Sequence, residues 1–392
     1  MKLPDDIIYF DNAATSFPKP DGVAGSVLRY INAVGGNPGR SGHEKSFEAG
    51  DILFSVREKC AELLGITNPM RVIFTLNATD ALNTAIKGLA RHGDHFITTS
   101  MEHNSTIRPL KALEDAGMIE LTVLQCGPDG FVSPDHIEDA IQENTRAAVI
   151  NHGSNVAGTV QPLGAIGSLC KKNNIFFIAD CAQTAGIIDI DMTGMNIDLL
   201  AFAGHKGLYG PTGTGGLVIS DSFDYSCLSP LRHGGTGSLS DSIEQPGFLP
   251  DRFESGTPNV AGIAGLLEGL SFIEDIGGTA KIRSHKRDLV DYFISSAEGL
   301  DGFRALNSSE NIQTGVVSFN IDGSDSAETA MVLSDDYSIM CRAGLHCAPL
   351  AHKTMGSFPH GTVRFSFGIF NSRKEIDRAI EALRDISERV GS

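Results

Sequence analysis

No apolar run in this chain approaches the roughly 20 residues a helix needs to cross a bilayer, and positive charge is in short supply. Lys and Arg number 31 against 48 Asp and Glu in 392 residues, a formal charge of −17, and the excess is spread along the chain. A body this acidic repels phosphate backbones and anionic lipid, so no nucleic acid and no membrane surface is expected as a partner. The opening MKLPDDIIYFDNAA puts Asp5 and Asp6 where a secretory signal needs an apolar core. The seven cysteines are odd in number, with no CxxC pair and no regular spacing. Disulfide scaffolds are short and even-numbered, so reduced thiols and a cytoplasmic setting are expected. There is no internal repeat, no low-complexity segment and no Gly-x4-Gly-Lys-Ser/Thr phosphate loop.

What is present reads as two units. The length exceeds one simple core, and 41% hydrophobic with 20% charged residues is ordinary for a globular chain. Between about 70 and 220, RVIFT, HFITTS, LTVLQ, AAVINHG, IFFIAD, LLAFAG and GLVIS are short, continuously apolar runs. Such runs suit strands buried on both faces. Amphipathic stretches between them, TDALNTAIKGLARHG (79–93) and LGAIGSLCKKNN (163–174), predict helices. The expectation is an α/β domain over 16–259 with a mostly parallel seven-stranded sheet. After the loop-rich 234–259, helices near 260–276, 278–299 and 372–390 accompany strands at 315–322 and 362–368. A smaller α+β domain over 260–392, joined by the N-terminal segment 1–15, is expected there.

Ligands of open parallel sheets sit outside the carboxyl ends of the strands. IFFIAD ends in Asp180, followed by Gln183, and LLAFAG runs through Gly204 into His205 and Lys206. Asp180 either caps a following helix or meets a cation, since a carboxylate after five apolar residues is poorly solvated. Lys206 is either solvated or chemically employed. Together they fit pyridoxal 5'-phosphate, whose ring nitrogen takes an anionic partner and whose aldehyde takes a lysine. LNATDALN, turning into helix near Thr79, offers a phosphate site at a helix start. GPTGTGG lacks the strand-before, helix-after setting of a dinucleotide loop.

These residues belong to a longer series: YFDNAAT, GNPGRSGH, FTLNATDALN, MEHNS, SNVAGT, ADCAQ, GHKGLYGPTGTGGL, FESGTPN and RAGLHCAP. In this order they resemble the cysteine desulfurases among the fold-type I pyridoxal-phosphate enzymes of aminotransferase class V. The resemblance implies that fold, a homodimer, L-cysteine as substrate and L-alanine as product. It also implies Lys206 as the Schiff-base lysine and proton shuttle, Asp180 on the ring nitrogen, Gln183 on the ring hydroxyl and His103 stacked on the ring. Thr79 and His205 would hold the phosphate beside Ala78, with Thr257 added from the other subunit. Arg364 would clamp the substrate carboxylate, its alternative being a salt bridge within the small domain, and Asn155 would contact the carboxylate or the ring. Two hydroxyls common in relatives are replaced by Ala78 and Ala203, and Leu345 stands where a histidine is usual.

The cysteine is chosen by inventory. Cys60 and Cys170 fall in helix patterns, Cys126 and Cys227 in loops or strand edges, Cys341 in an extended run, and Cys181 directly after Asp180. Cys347 adjoins His346 and follows Arg342 by five residues, and cationic neighbours favour the nucleophilic thiolate. A metal site from His346, Cys347 and His352 lacks a fourth ligand and any standard spacing, so no metal is expected. The expected chemistry is attack of Cys347 on the substrate sulfur, leaving a persulfide for a sulfur-acceptor protein that serves iron–sulfur or other sulfur-transfer biosynthesis. Selenocysteine lyase (acting on L-selenocysteine), another class V aminotransferase and a cofactor-free scaffold are the rival readings.

Overall fold

The computed structural model describes residues 7–39 and 42–391. Asp5 and Asp6 of the opening segment, and Arg40 and Ser41 of GNPGRSGH, lie outside the described residues. The chain begins with β1 (Ile8–Tyr9), α1 (Asp21–Arg29) and α2 (Glu44–Leu64), then enters a strand–helix alternation. This comprises β2 (Val72–Thr75), α3 (Ala78–Leu89), β3 (Asp94–Thr99), α4 (Asn104–Asp115), β4 (Ile119–Leu124), α5 (Pro134–Asp139), β5 (Thr145–Asn151) and α6 (Leu163–Lys172). Three strands close it: β6 (Phe176–Asp180), β7 (Leu199–Ala203) and β8 (Gly215–Ile219). After the long loop come α7 (Val260–Asp275), α8 (Gly278–Ala297), β9 (Phe303–Ala305), β10 (Val316–Ile321), α9 (Ser326–Tyr337), β11 (Ile339–Met340) and β12 (Arg342–Gly344). The chain ends with α10 (Pro349–Thr354), β13 (Thr362–Ser366) and α11 (Arg373–Gly391).

All seven runs expected as strands join one sheet, in the order β2-β8-β7-β6-β5-β3-β4. Its pairs are parallel except those of β8, which is antiparallel to β2 and β7. The continuous apolarity has the expected cause. In β5, Ala147 and Val149 face one hydrophobic layer while Ala148 and Ile150 face the other, and all four are fully buried. In α3, Ala81, Leu82, Ala85, Ile86 and Leu89 form the buried stripe, and the Asn77 side chain caps its start by accepting the Asp80 N–H. That helix stops at Ala90, short of the expected 93, where the backbone becomes extended.

The second core surrounds a four-stranded antiparallel sheet, β12-β13-β10-β9. Phe10 packs against Phe365 and Phe367 with ring centroids 5.1 Å apart in each pair, which places the N-terminal segment on this layer. The expected boundary near 260 falls at the start of α7, yet the buried face of α7 (Val260, Ile263, Leu266, Leu270) belongs to the larger core. On α8 the larger core still holds Ile282, and Leu289 onward belongs to the second.

Strand β2 lies at the rim of the large sheet, and side chains satisfy its free edge. Glu254 accepts the Phe74 N–H at 2.6 Å, and Arg57 donates to the Val72 carbonyl. The two side chains pair at 2.7 Å, with exposures of 5% for Arg57 and 15% for Glu254. Removing one member strands a buried charge. Glu254→Ala is therefore expected to lower stability by about 3–5 kcal/mol, read as a fall in the urea midpoint, with a smaller loss for Glu254→Gln.

Candidate active site

Strand β6 delivers Asp180 to its carboxyl end, and the neighbouring β7 delivers His205 and Lys206 through a turn at Gly204. A Cβ on Gly204 would stand 2.3 Å from Thr214 Oγ1, so the turn requires glycine. No helix follows β6. The chain passes through turns, and Asp180 Oδ1 accepts the Ala182 N–H at 2.9 Å, so the helix-cap alternative does not describe it. Asp180 is buried and Lys206 half-buried, and both line a cavity of about 320 Å³. Burial raises the Asp180 carboxyl, against pulls from the Ala182 N–H and Lys206. Burial lowers Lys206 to about 8, with Asp180 opposing.

The start of α3 opens on the same cavity, and Ala78 and Thr79 form part of its wall. His205 joins them, its buried Nδ1 without a partner. Burial, followed by the charges of Lys206 and Lys19, pushes His205 down to about 4, so it is neutral. Its carbonyl is held by Lys19 Nζ at 2.8 Å and by the Thr15 hydroxyl at 3.1 Å. Gln183 lines the wall too, its amide Nε2 donating to the Ala13 carbonyl at 2.9 Å. His103 caps α4: its Nδ1 accepts the Ser105 N–H at 3.1 Å, which leaves the proton on Nε2. It is half-buried, and burial plus the cationic wall push it down to about 4.

Arg364 is 1% exposed. Its Nη2 meets Asp11 at 2.8 Å and its Nη1 donates to the Asn155 carbonyl at 3.1 Å, while Nε has no partner. Burial lowers its pKa, and Asp11 opposes that. The salt bridge weighed as an alternative thus exists, with an N-terminal partner and on the cavity wall. Asp11 was legible only as one letter of YFDNAAT. Its pairing spans 353 residues of sequence, and no local pattern announces such a contact.

The Cys347 loop adjoins this wall. His346 and Cys347 have φ values of +47° and +59°, a left-handed pair rare for residues with side chains. Both carbonyls are gripped. Asn155 Nδ2 donates to that of His346 at 2.7 Å, and the Asn104 N–H to that of Cys347 at 2.8 Å. The Cys347 side chain is exposed, and Arg342 Nη2 lies 3.3 Å from its sulfur. His346 does not supply the expected cationic neighbour. It is 2% exposed, donates to or accepts from Thr362 Oγ1 at 3.1 Å, and is pushed down to about 2 by burial and then by Arg364. Arg342 supplies that charge. Among the other cysteines, burial raises Cys60, Cys170 and Cys341 to about 12 and also raises Cys181 and Cys126.

Of the residues expected to act on cofactor, substrate or sulfur, all but Cys347 and Thr257 line this cavity. Thr257 is exposed on the long loop. No group of three His, Cys, Asp or Glu side chains suited to a metal occurs among the described residues. The donor set does fit pyridoxal phosphate. A helix start, the Thr79 hydroxyl and an unpartnered His205 suit a phosphate. A buried carboxylate suits the ring nitrogen, and the amine of Lys206 suits the aldehyde. Asn155 Oδ1, also buried without a partner, remains free for a ligand.

The aminotransferase class-V family model matches residues 8–379. A probable cysteine desulfurase of Methanothermobacter thermautotrophicus is 32% identical over 388 residues, 97% of this chain and 95% of that protein. One of Pyrococcus abyssi is 33% identical over 409 residues, covering 100% and 97%. The apo structure of a cysteine desulfurase from Thermococcus onnurineus superposes with a TM-score of 0.90 at 30% identity, covering 99% of each chain. With a cavity at the strand ends whose donors suit the cofactor, and a likeness that runs nearly end to end, the chain belongs to the class V aminotransferase family.

Proposed function

We propose that the chain is a pyridoxal-phosphate-dependent cysteine desulfurase that converts L-cysteine to L-alanine and takes the sulfur onto Cys347. The observation that carries this reading is the exposed thiol of Cys347, with a guanidinium 3.3 Å from its sulfur, beside a cavity lined by Lys206. A class V aminotransferase without sulfur chemistry leaves that thiol unemployed. Pyridoxal phosphate, on which the family depends, supplies an electron sink for a carbanion at the substrate Cα.

The chain's own residues do the rest. Thr79, His205 and the first N–H groups of α3 hold the phosphate, and Ala78 and Ala203 leave more of that task to the backbone. Asp180 holds the ring nitrogen, Gln183 the ring hydroxyl, and His103 the ring face. Arg364 holds the substrate carboxylate through its fork, exchanging part of its grip on Asp11, with Asn155 beside it. Lys206, a ready base at its lowered pKa, takes the Cα proton at Nζ and later returns one. The Cys347 thiolate, favoured by Arg342, attacks the substrate sulfur. An S–S bond forms, the C–S bond breaks with its electron pair left on carbon, and a proton completes alanine. Thiol plus L-cysteine thus gives persulfide plus L-alanine, and a reductant or acceptor protein then removes the sulfur.

The wider setting is part of the same proposal. Thr257 lies apart from its own cavity, and Leu28 of α1, Ile31 just beyond it and Phe47 of α2 are exposed apolar side chains. A homodimer covers them and presents Thr257 to the partner's phosphate end. Seven free thiols suit a reducing cytoplasm, and no helix among the described residues is long and apolar enough to cross a membrane. An exposed Cys347 suits hand-over to a sulfur-acceptor protein. The functional division has 16–259 carrying the cofactor and 260–392, with 1–15, carrying the cysteine loop.

With L-cysteine and a thiol reductant, alanine and sulfide are expected in equal amounts, and Lys206→Ala is expected to yield neither. Alanine appearing only when a keto acid is added would sink the reading in favour of an aminotransferase. Cys347→Ser is expected to abolish sulfide release, and retained cleavage of L-selenocysteine by that variant would mark a second activity. Arg364→Lys loses the fork and is expected to raise the KM for L-cysteine by roughly tenfold or more.

The pH dependence follows from Lys206. Covalent capture of added pyridoxal phosphate needs the neutral amine, which dominates above the folded-state value of about 8 instead of an ordinary 10.5. Capture by cofactor-stripped protein is expected to be level above pH 8 and to fall about tenfold per unit below it, followed by absorbance.

A further inference from the structure

The MEHNS segment brings a second acid close to the site. Glu102, immediately before His103, is fully buried and does not line the cavity. Its Oε1 accepts the Thr99 hydroxyl at 2.8 Å and the Asn151 backbone N–H at 3.0 Å. Its Oε2 has no partner in hydrogen-bond geometry, and the buried Thr106 hydroxyl lies close enough to pull on the acid. Asn151 stands opposite Asp180 in the β5–β6 ladder, which brings the two carboxyl groups within reach of each other's charge. No ion pair involves Glu102 among the described residues.

We propose that Glu102 is held un-ionised, its proton on Oε2, so that Asp180 alone carries negative charge at this end of the cavity. Two buried carboxyls this close do not both ionise cheaply, and the surroundings decide which one does. Asp180 borders the cavity, accepts the Ala182 N–H and feels Lys206. Glu102 has no cation. The groups facing it are Asp180, the Cys126 thiol, the hydroxyls of Thr99 and Thr106, and the Asn151 N–H. Burial pushes it up to about 8, and the charge of Asp180 adds to that, against the pull of its hydrogen-bond donors. Oε1 already accepts two hydrogen bonds, so the proton belongs on Oε2, beside the Thr106 hydroxyl.

Glu102 is thus a positioning residue that acts through Asp180, and its consequence for catalysis rests on the reading of Asp180 as the partner of the ring nitrogen. An ionised Glu102 would spread negative charge away from the cavity wall and raise Asp180. An un-ionised one leaves Asp180 the anion that a protonated ring nitrogen needs.

The direct measurement is infrared spectroscopy of the full-length protein at neutral pH, wild type minus Glu102→Gln. The carbonyl stretch of an un-ionised carboxylic acid, shifted by deuteration, is expected in the difference. Asp180→Asn removes the neighbouring charge and is expected to move the pH at which that band disappears down by about one unit or more. In the cofactor-loaded protein, Glu102→Gln, which copies the shape and donor of the un-ionised acid, is expected to keep the wild-type pH profile of cofactor absorbance. Absence of the band at neutrality overturns the proposal, as does an Asp180→Asn titration that does not move or a glutamine profile displaced by about one unit or more. Should Glu102→Gln fail to fold, loss of the wild-type band with rising pH, and its shift in Asp180→Asn, still decide the matter. The infrared readings need no cofactor, so they fail independently of the cofactor reading, which fails instead if added pyridoxal phosphate is not retained.

Discussion

The guanidinium of Arg364 joins three parts of the chain that are far apart in sequence. It rises from β13 of the small sheet, meets Asp11 at the end of the N-terminal segment, and donates to the Asn155 carbonyl on the large layer. A cation 1% exposed needs those partners to offset the loss of water. The same need fixes how the two layers meet, and the cavity is what lies between them. Asn155 extends the linkage, since its amide holds the His346 carbonyl and so the cysteine loop. One buried charge therefore aligns the strand-end carboxylate, the lysine and the thiol.

Charge around the cavity is sorted by burial. Lys206 loses part of its affinity for a proton, His103, His205 and His346 are held neutral, and the cationic character of the wall comes from Arg342 and Arg364. An acidic protein thereby presents an anion-accepting pocket to a substrate carboxylate and a phosphate. The cysteine loop adds strain to this electrostatic arrangement. Two consecutive left-handed residues, held by hydrogen bonds at both carbonyls, set the Cys347 side chain outward while His346 is buried beneath it. Such a loop needs neither great length nor flexibility to present a thiol at the surface.

Much of the large layer was legible before any coordinates. Its seven strands are continuous apolar runs, because strands covered on both faces cannot alternate with polar residues. Helices α3, α6 to α8 and α11 were also recognisable, to within a few residues. Helices α1, α2, α4, α5, α9 and α10, and the short strands β1, β9, β11 and β12, were not assigned. Strands of two or three residues owe their form to their neighbours: β1 and β11 exist only as each other's partner. The division at 260 shared that weakness. A loop-rich stretch marks a change along the chain, but which core α7 packs against depends on contacts with α1 and α2.

The sequence by itself determined the chemical inventory: a carboxylate and a lysine closing successive apolar strands, a helix start for an anion, and a cysteine, Cys347, next to a histidine and five residues after an arginine. Residue type and local periodicity carry that information, since strand ends and helix starts are local features. Tertiary structure decided which of these groups are charged and which face one another. It paired Arg364 with Asp11, took His346 out of contention as a cation, and buried Glu102 near Asp180. Desolvation and through-space charge depend on what the rest of the chain places within a few ångströms, and no stretch of sequence contains that.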